Sequence, residues 1–178
     1  MRKDCMHMRR TTIGVIVSLA FGLLSTPCVS DAQQVVFLLR YAEQASGSDA
    51  DDPPLTETGQ RRARTLVTVL KDAGLTAIYT SESQRSIQTA EPLTQALQLE
   101  SKIIPRRDID SLLERLRTQH VDGRVLIISH SLTIPHVPKA LGHPEEVIIE
   151  RTEYDRLFVI VPKPTGLPLV FVLRFSGG

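Results

Sequence analysis

The chain has 178 residues, a length that suits one domain with a terminal extension. Its formal net charge is +1, and beyond the first ten residues the basic side chains cluster only around 61–64, so the sequence has no electrostatic footprint for nucleic acid. The hydrophobic fraction is 42% and Trp is absent, so aliphatic side chains must build the core. The charge distribution favours a small molecule or a ligand of peptide scale as the partner.

Residues 1–32 have the pattern of a secretory signal peptide. A basic start is followed by an uncharged stretch with a short apolar centre, and Ser30 and Ala32 are small residues at the positions that a signal peptidase requires. The apolar centre is shorter than the ~20 residues of a spanning helix, which favours cleavage over an uncleaved anchor. We therefore expect an exported protein, periplasmic or secreted, whose mature domain is 33–178, without stable membrane insertion after cleavage.

The rest of the chain alternates predicted strands and predicted helices. Apolar runs rich in β-formers predict strands, and apolar residues one helical turn apart predict amphipathic helices. The predicted strands are 35–39, 77–79, 103–104, 125–128, 157–161 and 169–175, and the predicted helices are 58–73, 83–97, 109–116 and 133–141. Pro92 is expected to kink or break the second helix, and Asp108 to cap the third. This alternation predicts an α/β fold, a three-layer α/β/α sandwich with a mostly parallel central sheet.

Polar residues follow three of the predicted strands. Arg40 follows the first strand, Ser81 follows the second, and His130 follows the strand that starts at Val125, while Arg85 lies about one turn into the helix after Ser81. Ligands of open α/β sheets bind beyond the carboxyl ends of the strands, so we expect these side chains to lie close together. Guanidinium forks match phosphate oxygens, and helix N–H groups add partial positive charge. The sequence therefore predicts a site for a phosphate-like dianion.

Five short motifs in this order resemble the histidine phosphatase superfamily, in its phosphoglycerate mutase-like branch and small exported bacterial type. They are Leu39-Arg40-Tyr41-Ala42-Glu43, Leu55-Thr56-Glu57-Thr58-Gly59 with Arg62-Ala63, Tyr79-Thr80-Ser81 with Arg85 and Thr89-Ala90, His130-Ser131 with Thr133-Ile134-Pro135, and Glu153-Tyr154-Asp155-Arg156-Leu157-Phe158. The resemblance implies that Arg40, Arg85 and His130 bind phosphate or a small phosphomonoester, and that no metal or other cofactor takes part.

The resemblance places Tyr41 where the family has the histidine that attacks phosphorus. A phenol has an unperturbed pKa of about 10, so it is mostly protonated at neutral pH and a poor nucleophile. A tyrosyl phosphate would also be a stable ester, and turnover would stall at its hydrolysis. Ser129 and Leu132 further replace the glycine and the asparagine that flank the second histidine in this branch. These departures predict a phosphate-binding domain with impaired catalysis, a pseudophosphatase.

An alternative stays open at this point, an active phosphomonoesterase with chemistry rerouted through His130 or water. The pattern leaves the general acid unassigned, with Glu43 favoured for its nearness to Tyr41, and with Glu82, Asp108 and Asp110 as the other candidates. A serine hydrolase is rejected, because the serine motif lacks flanking glycines and the order of its residues is wrong. No metal site is predicted, because the histidines lack ligand spacing with carboxylates.

Overall fold

The computed structural model describes residues 33–45 and 51–177, so the predicted signal peptide lies outside the described residues. The strands are β1 (Val35–Arg40), β2 (Ala77–Thr80), β3 (Ser101–Ile103), β4 (Arg124–Ser129), β5 (Arg156–Val161) and β6 (Leu169–Arg174), and the helices are α1 (Glu57–Leu70), α2 (Gln84–Leu97), α3 (Ile109–Thr118) and α4 (His136–Ala140). In these two stretches no helix combines the length and the apolar character needed to cross a bilayer.

The six strands form one sheet in the order β3-β2-β4-β1-β5-β6. The first four of these strands are parallel to one another, whereas β5 and β6 add an antiparallel extension beyond β1. In the register of the parallel part, Arg40 lies beside Ser129 and Thr80 lies beside Ile128. The carboxyl ends of β1, β4 and β2 therefore meet at one edge, as the predicted site requires.

Helices cover both faces of the sheet. On one face Leu112 and Leu116 of α3 and Val137 of α4 pack with the strands, and on the other face Leu66 of α1 and Leu93 of α2 do so. Buried apolar surface stabilises a fold by roughly 25 cal/mol per Å², so these two clusters supply the main favourable free energy. The prediction of a three-layer α/β/α sandwich with a mostly parallel sheet is confirmed.

Helix α1 carries its boundary signals in the sequence. The side chain of Thr56 accepts a hydrogen bond from the backbone N–H of Gly59 and so caps the helix. Gly74, which follows the helix, has φ +68°, a conformation that glycine adopts at no steric cost. Gly59 itself packs so closely against the backbone of Glu43 that a side chain has no room there, which fixes the segment after β1 against α1.

Two local predictions differ from the structure. Helix α2 runs through Pro92 without the predicted break, and buried Ala90 and Leu93 on either side of the proline pack in the core. The helix predicted at 133–141 is shorter, since α4 covers only His136–Ala140. The preceding residues form turns instead, with the N–H groups of Thr133 and Ile134 both donating to the carbonyl of His130.

Candidate functional site

The structure brings the three predicted phosphate ligands together around Tyr41. The guanidinium carbon of Arg40 lies 5.0 Å from the centroid of the Tyr41 ring, and that of Arg85 lies 4.7 Å from it. The ring of His130 meets the Tyr41 ring edge-on, with 5.1 Å between the centroids. All four residues are buried, so two guanidinium groups, an imidazole and a phenol lie close together at the carboxyl edge of the sheet.

Arg40 is a buried cation held by neutral groups. Its Nη1 donates to the backbone carbonyls of Glu150 at 3.2 Å, Arg151 at 2.8 Å and Glu153 at 3.3 Å. Its Nη2 donates to the hydroxyl of Tyr41 at 3.4 Å and to that of Tyr154 at 3.3 Å. Arg40 is only 8% exposed, yet no carboxylate of 33–45 or 51–177 forms an ion pair with it. Because a buried charge is costly without a counterion, this arrangement favours an anion nearby.

Arg85 is the second residue of α2 and is 9% exposed. Its Nη1 donates to the carboxylate of Asp52 at 3.0 Å, and its Nη2 lies 3.5 Å from Nδ1 of His130. The same carboxylate accepts a hydrogen bond of 2.7 Å from the backbone N–H of Gln84 at the start of the helix. Arg85 therefore connects an acidic loop residue to the imidazole of the site.

His130 is held as a neutral imidazole. A guanidinium can only donate, so Nδ1 accepts from Arg85 and Nε2 carries the proton that it donates to the hydroxyl of Ser81 at 2.8 Å. Burial and then the charge of Arg85, with smaller effects of Arg106 and Arg40, lower the pKa of His130 to about 4, and Glu82 opposes this only in part. At neutral pH His130 therefore contributes polarity and a ring nitrogen to the site, and no charge.

Tyr41 occupies the centre of this group of side chains and is 7% exposed. Its hydroxyl has Arg40 as its hydrogen-bond partner among the described residues, and its ring lies against both guanidinium groups. Tyr41 and His130 line a cavity of about 560 Å³ together with Arg106, Arg107 and the exposed Leu132. A cavity of this size accommodates a small ligand.

Glu43, the favoured candidate for the general acid, lies in an ion pair. Arg62 binds both carboxylate oxygens of Glu43, with the shortest N–O distance at 2.7 Å. Burial would raise the pKa of Glu43, but the hydrogen bonds and the charge of Arg62 outweigh it and hold that pKa below its usual value. Glu43 thus links the segment after β1 to α1 through an ion pair, and its role as a general acid stays a prediction.

Of the other acidic candidates, Glu82 and Asp108 have contacts that stabilise the fold, and Asp110 is exposed. Glu82 accepts a hydrogen bond of 2.8 Å from the backbone N–H of Arg106 and lies 3.7 Å from Nε of that residue. Asp108 caps α3, as predicted, by accepting from the N–H of Ser111 at 3.2 Å. Asp110 is exposed in the first turn of the same helix. These contacts do not single out any one of the three as the general acid.

Three residues of the site escaped the sequence analysis. Arg106 and Arg107 line the cavity, and Asp52 forms an ion pair with Arg85. The two arginines had a signal, because they follow a strand of the parallel sheet at the same edge as Arg40 and His130. Asp52 had no signal, since it belongs to a polar loop 33 residues before Arg85. As for metals, no group of three or more potential ligands occurs in the part of the chain that the structure describes.

Comparison with known proteins finds similarity to one family. A model of the histidine phosphatase superfamily (branch 1) matches 36–108, a stretch that contains Arg40, Tyr41 and Arg85. The chain is 31% identical over 107 residues to the "Probable phosphoglycerate mutase GpmB" of Photorhabdus laumondii, and 31% identical over 109 residues to the protein of that name in Escherichia coli. These matches cover 49% and 51% of the chain, and the chain spans about half the length of these curated relatives.

Solved structures share the fold over most of the described chain. The protein histidine phosphatase SixA in complex with tungstate matches with a TM-score of 0.65 at 21% identity, covering 80% of this chain and 97% of that one. The alpha-ribazole phosphatase of Shigella flexneri matches with a TM-score of 0.60 at 19% identity, covering 79% and 96%. The family match over 36–108, the shared fold and the strand-end arginines all point to similarity with the histidine phosphatase superfamily.

Proposed function

We propose that this domain binds phosphate or a small phosphomonoester at Arg40, Arg85 and His130, and that Tyr41 in the place of the nucleophile impairs its turnover. The observation that carries the proposal is the position of the Tyr41 ring, 5.0 Å or less from two buried guanidinium carbons and edge-on to His130. A phosphoryl group bound by these cations would meet a phenol.

Unsatisfied donors support the binding of an anion. Nε of Arg40 and Nε of Arg85 are both buried without an acceptor among the described residues. Buried donors in folded proteins nearly always have partners, and phosphate oxygens are the acceptors that guanidinium groups bind best. Among the structural relatives, SixA binds tungstate and a mycobacterial glucosyl-3-phosphoglycerate phosphatase has been solved with inorganic phosphate. A tetrahedral oxyanion is therefore the ligand class that suits this site.

The chemistry of the phenol supports the impairment of catalysis. Attack on phosphorus needs an unprotonated nucleophile, and a general base next to the phenol would have to supply it. His130 is neutral, but its Nε2 faces Ser81 and its Nδ1 faces Arg85, so neither nitrogen is bonded to the Tyr41 hydroxyl. The described residues thus provide no base in contact with Tyr41.

The alternative, an active phosphomonoesterase that uses His130 in a rerouted reaction, also has an observation in its favour. With its pKa lowered to about 4, the His130 imidazole is unprotonated at neutral pH, as a nucleophile must be. The two proposals differ in what happens when an imidazole is restored at position 41.

Hydrolysis of p-nitrophenyl phosphate by the domain and by its Tyr41→His variant separates the two. If the first proposal holds, Tyr41→His raises kcat/KM on the order of 100-fold, because it restores a nucleophile that the cations already surround. Tyr154→His is the matched control, since Tyr154 also contacts Arg40, with 4.1 Å between the guanidinium carbon and the ring centroid. Equal and substantial rates in the unmodified domain and in Tyr41→His would favour the rerouted enzyme.

Ligand binding has its own measurement. Phosphate or vanadate that binds only the folded domain must raise its melting temperature. We expect a concentration-dependent increase with the unmodified domain, and none with a variant that lacks Arg40. The absence of any shift with either oxyanion would contradict the binding proposal, whatever the rates in the hydrolysis assay.

Export is a further part of the proposal and depends on the sequence of 1–32. N-terminal sequencing of the protein isolated from cells that express the full chain would test it. A mature chain that begins at Gln33 is the expected result, and an intact Met1 in the cytosolic fraction would contradict export.

A further inference from the structure

Asp52 places a carboxylate on two donors of the proposed anion site. Its Oδ1 lies 3.0 Å from Nη1 of Arg85, and its Oδ2 accepts a hydrogen bond of 2.7 Å from the backbone N–H of Gln84, the first residue of α2. A guanidinium fork and a helix N–H group are the donors that a phosphate would use at this position. The carboxylate of Asp52 is thus bound as an anionic ligand would be.

The start of α2 depends on this carboxylate. Ser83 is the N-cap residue, but its side chain makes no capping hydrogen bond to the helix. Its hydroxyl instead bonds to the hydroxyls of Ser81 and Ser86 and approaches Nε2 of His130 at 3.4 Å. An N-cap side chain reaches the second or third N–H of a helix, so the first N–H, that of Gln84, is available to an anion from elsewhere, and Asp52 supplies it.

Arg85 is only partly satisfied by this contact. Nη1 of Arg85 donates to Asp52 and Nη2 faces the ring of His130. Nε of Arg85 has no acceptor in the described stretches. The side chain of Asp52 is 45% exposed, whereas that of Arg85 is 11% exposed. An ion pair with one partner largely in water contributes little to stability, so it breaks at low cost.

The surroundings of Asp52 disfavour a second anion. A small cavity of about 180 Å³ beside Arg85 is lined by Asp51, Asp52 and Glu82, and by Arg106. Glu82 is paired with Arg106, as Asp52 is with Arg85. With three carboxylates against two guanidinium groups, the negative charges offset the attraction that Arg85 would otherwise exert on a dianion.

We propose that Asp52 is an internal competitor for the bound anion, so that its carboxylate holds Arg85 and the start of α2 in the free domain and sets the affinity for phosphate. A ligand must displace this carboxylate or share Arg85 with it. The inference rests on the proposed function, because it assumes that Arg85 binds the phosphoryl group.

Asp52→Asn is the variant that isolates the charge. The amide keeps one oxygen, which can accept from either Arg85 or the N–H of Gln84, and it removes the negative charge that opposes the ligand. We expect the Kd for inorganic phosphate, measured by isothermal titration calorimetry, to fall about three- to tenfold. Asp51→Asn is the matched control, since it makes the same charge change in the same cavity at a residue with no ion pair to Arg85 within the described chain. Its Kd should stay within about twofold.

Each other outcome would overturn the inference. An unchanged Kd in Asp52→Asn, with phosphate bound by all three proteins, would contradict the competition and leave the proposed function intact. A raised Kd would mean that Asp52 positions Arg85 for the ligand, and equal tightening in both variants would mean a general charge effect. Phosphate binding by none of them would remove the proposed function and the inference together. If Asp52→Asn melts at a lower temperature than the unmodified domain, Asp52→Ser, which keeps a hydroxyl to cap α2, replaces it in the same comparison.

Discussion

Two buried tyrosine–histidine pairs lie in this domain, and they differ in what holds them. Tyr79 and His120 meet edge-on with 5.7 Å between their centroids, and the tyrosine hydroxyl is bonded to Nε2 of the imidazole at 2.8 Å. Tyr41 and His130 have a similar ring geometry at 5.1 Å, yet they share no hydrogen bond. In the first pair the two polar groups bond to each other. In the second pair the hydroxyl of Tyr41 bonds to Arg40 and Nε2 of His130 bonds to Ser81.

The charges around the two pairs explain the difference. Lys102 lies 5.8 Å from the centroid of Tyr79, and burial lowers the pKa of His120, with smaller contributions from Lys102 and Arg115. Around Tyr41 two guanidinium groups lie within 5.0 Å of the ring centroid. The same two residue types thus serve packing in one place, while in the other they line a cavity near Arg40 and Arg107, two cations that form no ion pair among the described residues. Burial of a tyrosine–histidine pair alone does not indicate a site; uncompensated charge next to it does.

The largest expected effect is on ligand binding at the second pair. Arg85→Gln removes a buried cation and leaves the carboxylate of Asp52 without its partner, so phosphate affinity should fall on the order of 10- to 100-fold. Titration calorimetry measures this directly. The matched control is Lys102→Gln, which removes the cation beside Tyr79 and should leave the phosphate Kd unchanged. A similar loss in both variants would show that the two pairs do not differ in function.

The stability of the two pairs should differ in the opposite direction. Tyr79→Phe leaves Nε2 of His120 buried without its 2.8 Å partner, and the free energy of unfolding should fall by about 1–3 kcal/mol. Tyr41→Phe removes only the 3.4 Å contact with Arg40, whose Nη2 keeps the hydroxyl of Tyr154, so its cost should stay below about 1 kcal/mol. Urea denaturation of the two variants makes the comparison, and a larger loss at Tyr41 would contradict it.

The pH dependence of the free energy of unfolding should show the titration of His130. Its pKa is about 4 in the folded domain against 6.5 for the unperturbed group, so the unfolded chain binds the proton more tightly. The resulting stabilisation is complete above pH 6.5 and is lost as pH falls from 6.5 towards 4, with a slope of up to about 1.4 kcal/mol per pH unit. His130→Gln should flatten the curve in this window, while the contribution of His120 stays in both proteins. Identical slopes with and without His130 would mean that its imidazole is not held neutral.

The smallest expected effect concerns the wall of the cavity beside Tyr41. Arg107 lines this cavity and makes no ion pair with any carboxylate of the described residues, so its charge attracts an anion over a distance. Arg107→Gln should raise the phosphate Kd about two- to threefold, and the effect should shrink with added salt. Arg117→Gln, an exposed change in the last turn of α3, is the control. A salt-independent loss of more than tenfold would indicate direct contact with the ligand.

Periodicity and strand ends were sufficient to predict the layers of the fold and the proximity of Arg40, Arg85 and His130. Parallel strands bring their carboxyl ends to one edge, so a residue's place in the chain implies its place in space. The strand predicted at 103–104 is in fact β3 at Ser101–Ile103, and Arg106 and Arg107 follow it at the same edge of the sheet. Local patterns predict where an element ends only to within a few residues.

Contacts between loops and helices could not be predicted in the same way. Glu43 was favoured as an acid because it is close to Tyr41 in sequence, but its partner Arg62 lies 19 residues further on, on a neighbouring helix. Asp52 meets Arg85 across a separation of 33 residues. Neither distance is set by a repeating pattern, because a loop's path depends on the packing of the whole domain. The role of each carboxylate therefore depends on a partner that is distant in sequence.

The three carbonyls that accept from Arg40 have a consequence for how the site meets a ligand. They hold Nη1 in place through the backbone of Glu150, Arg151 and Glu153, so the protein itself fixes the orientation of this guanidinium. Preorganised donors lose little conformational freedom on binding. Selectivity among oxyanions at Arg40 should accordingly follow the shape and hydration of the incoming ion, with little contribution from rearrangement of the protein around it.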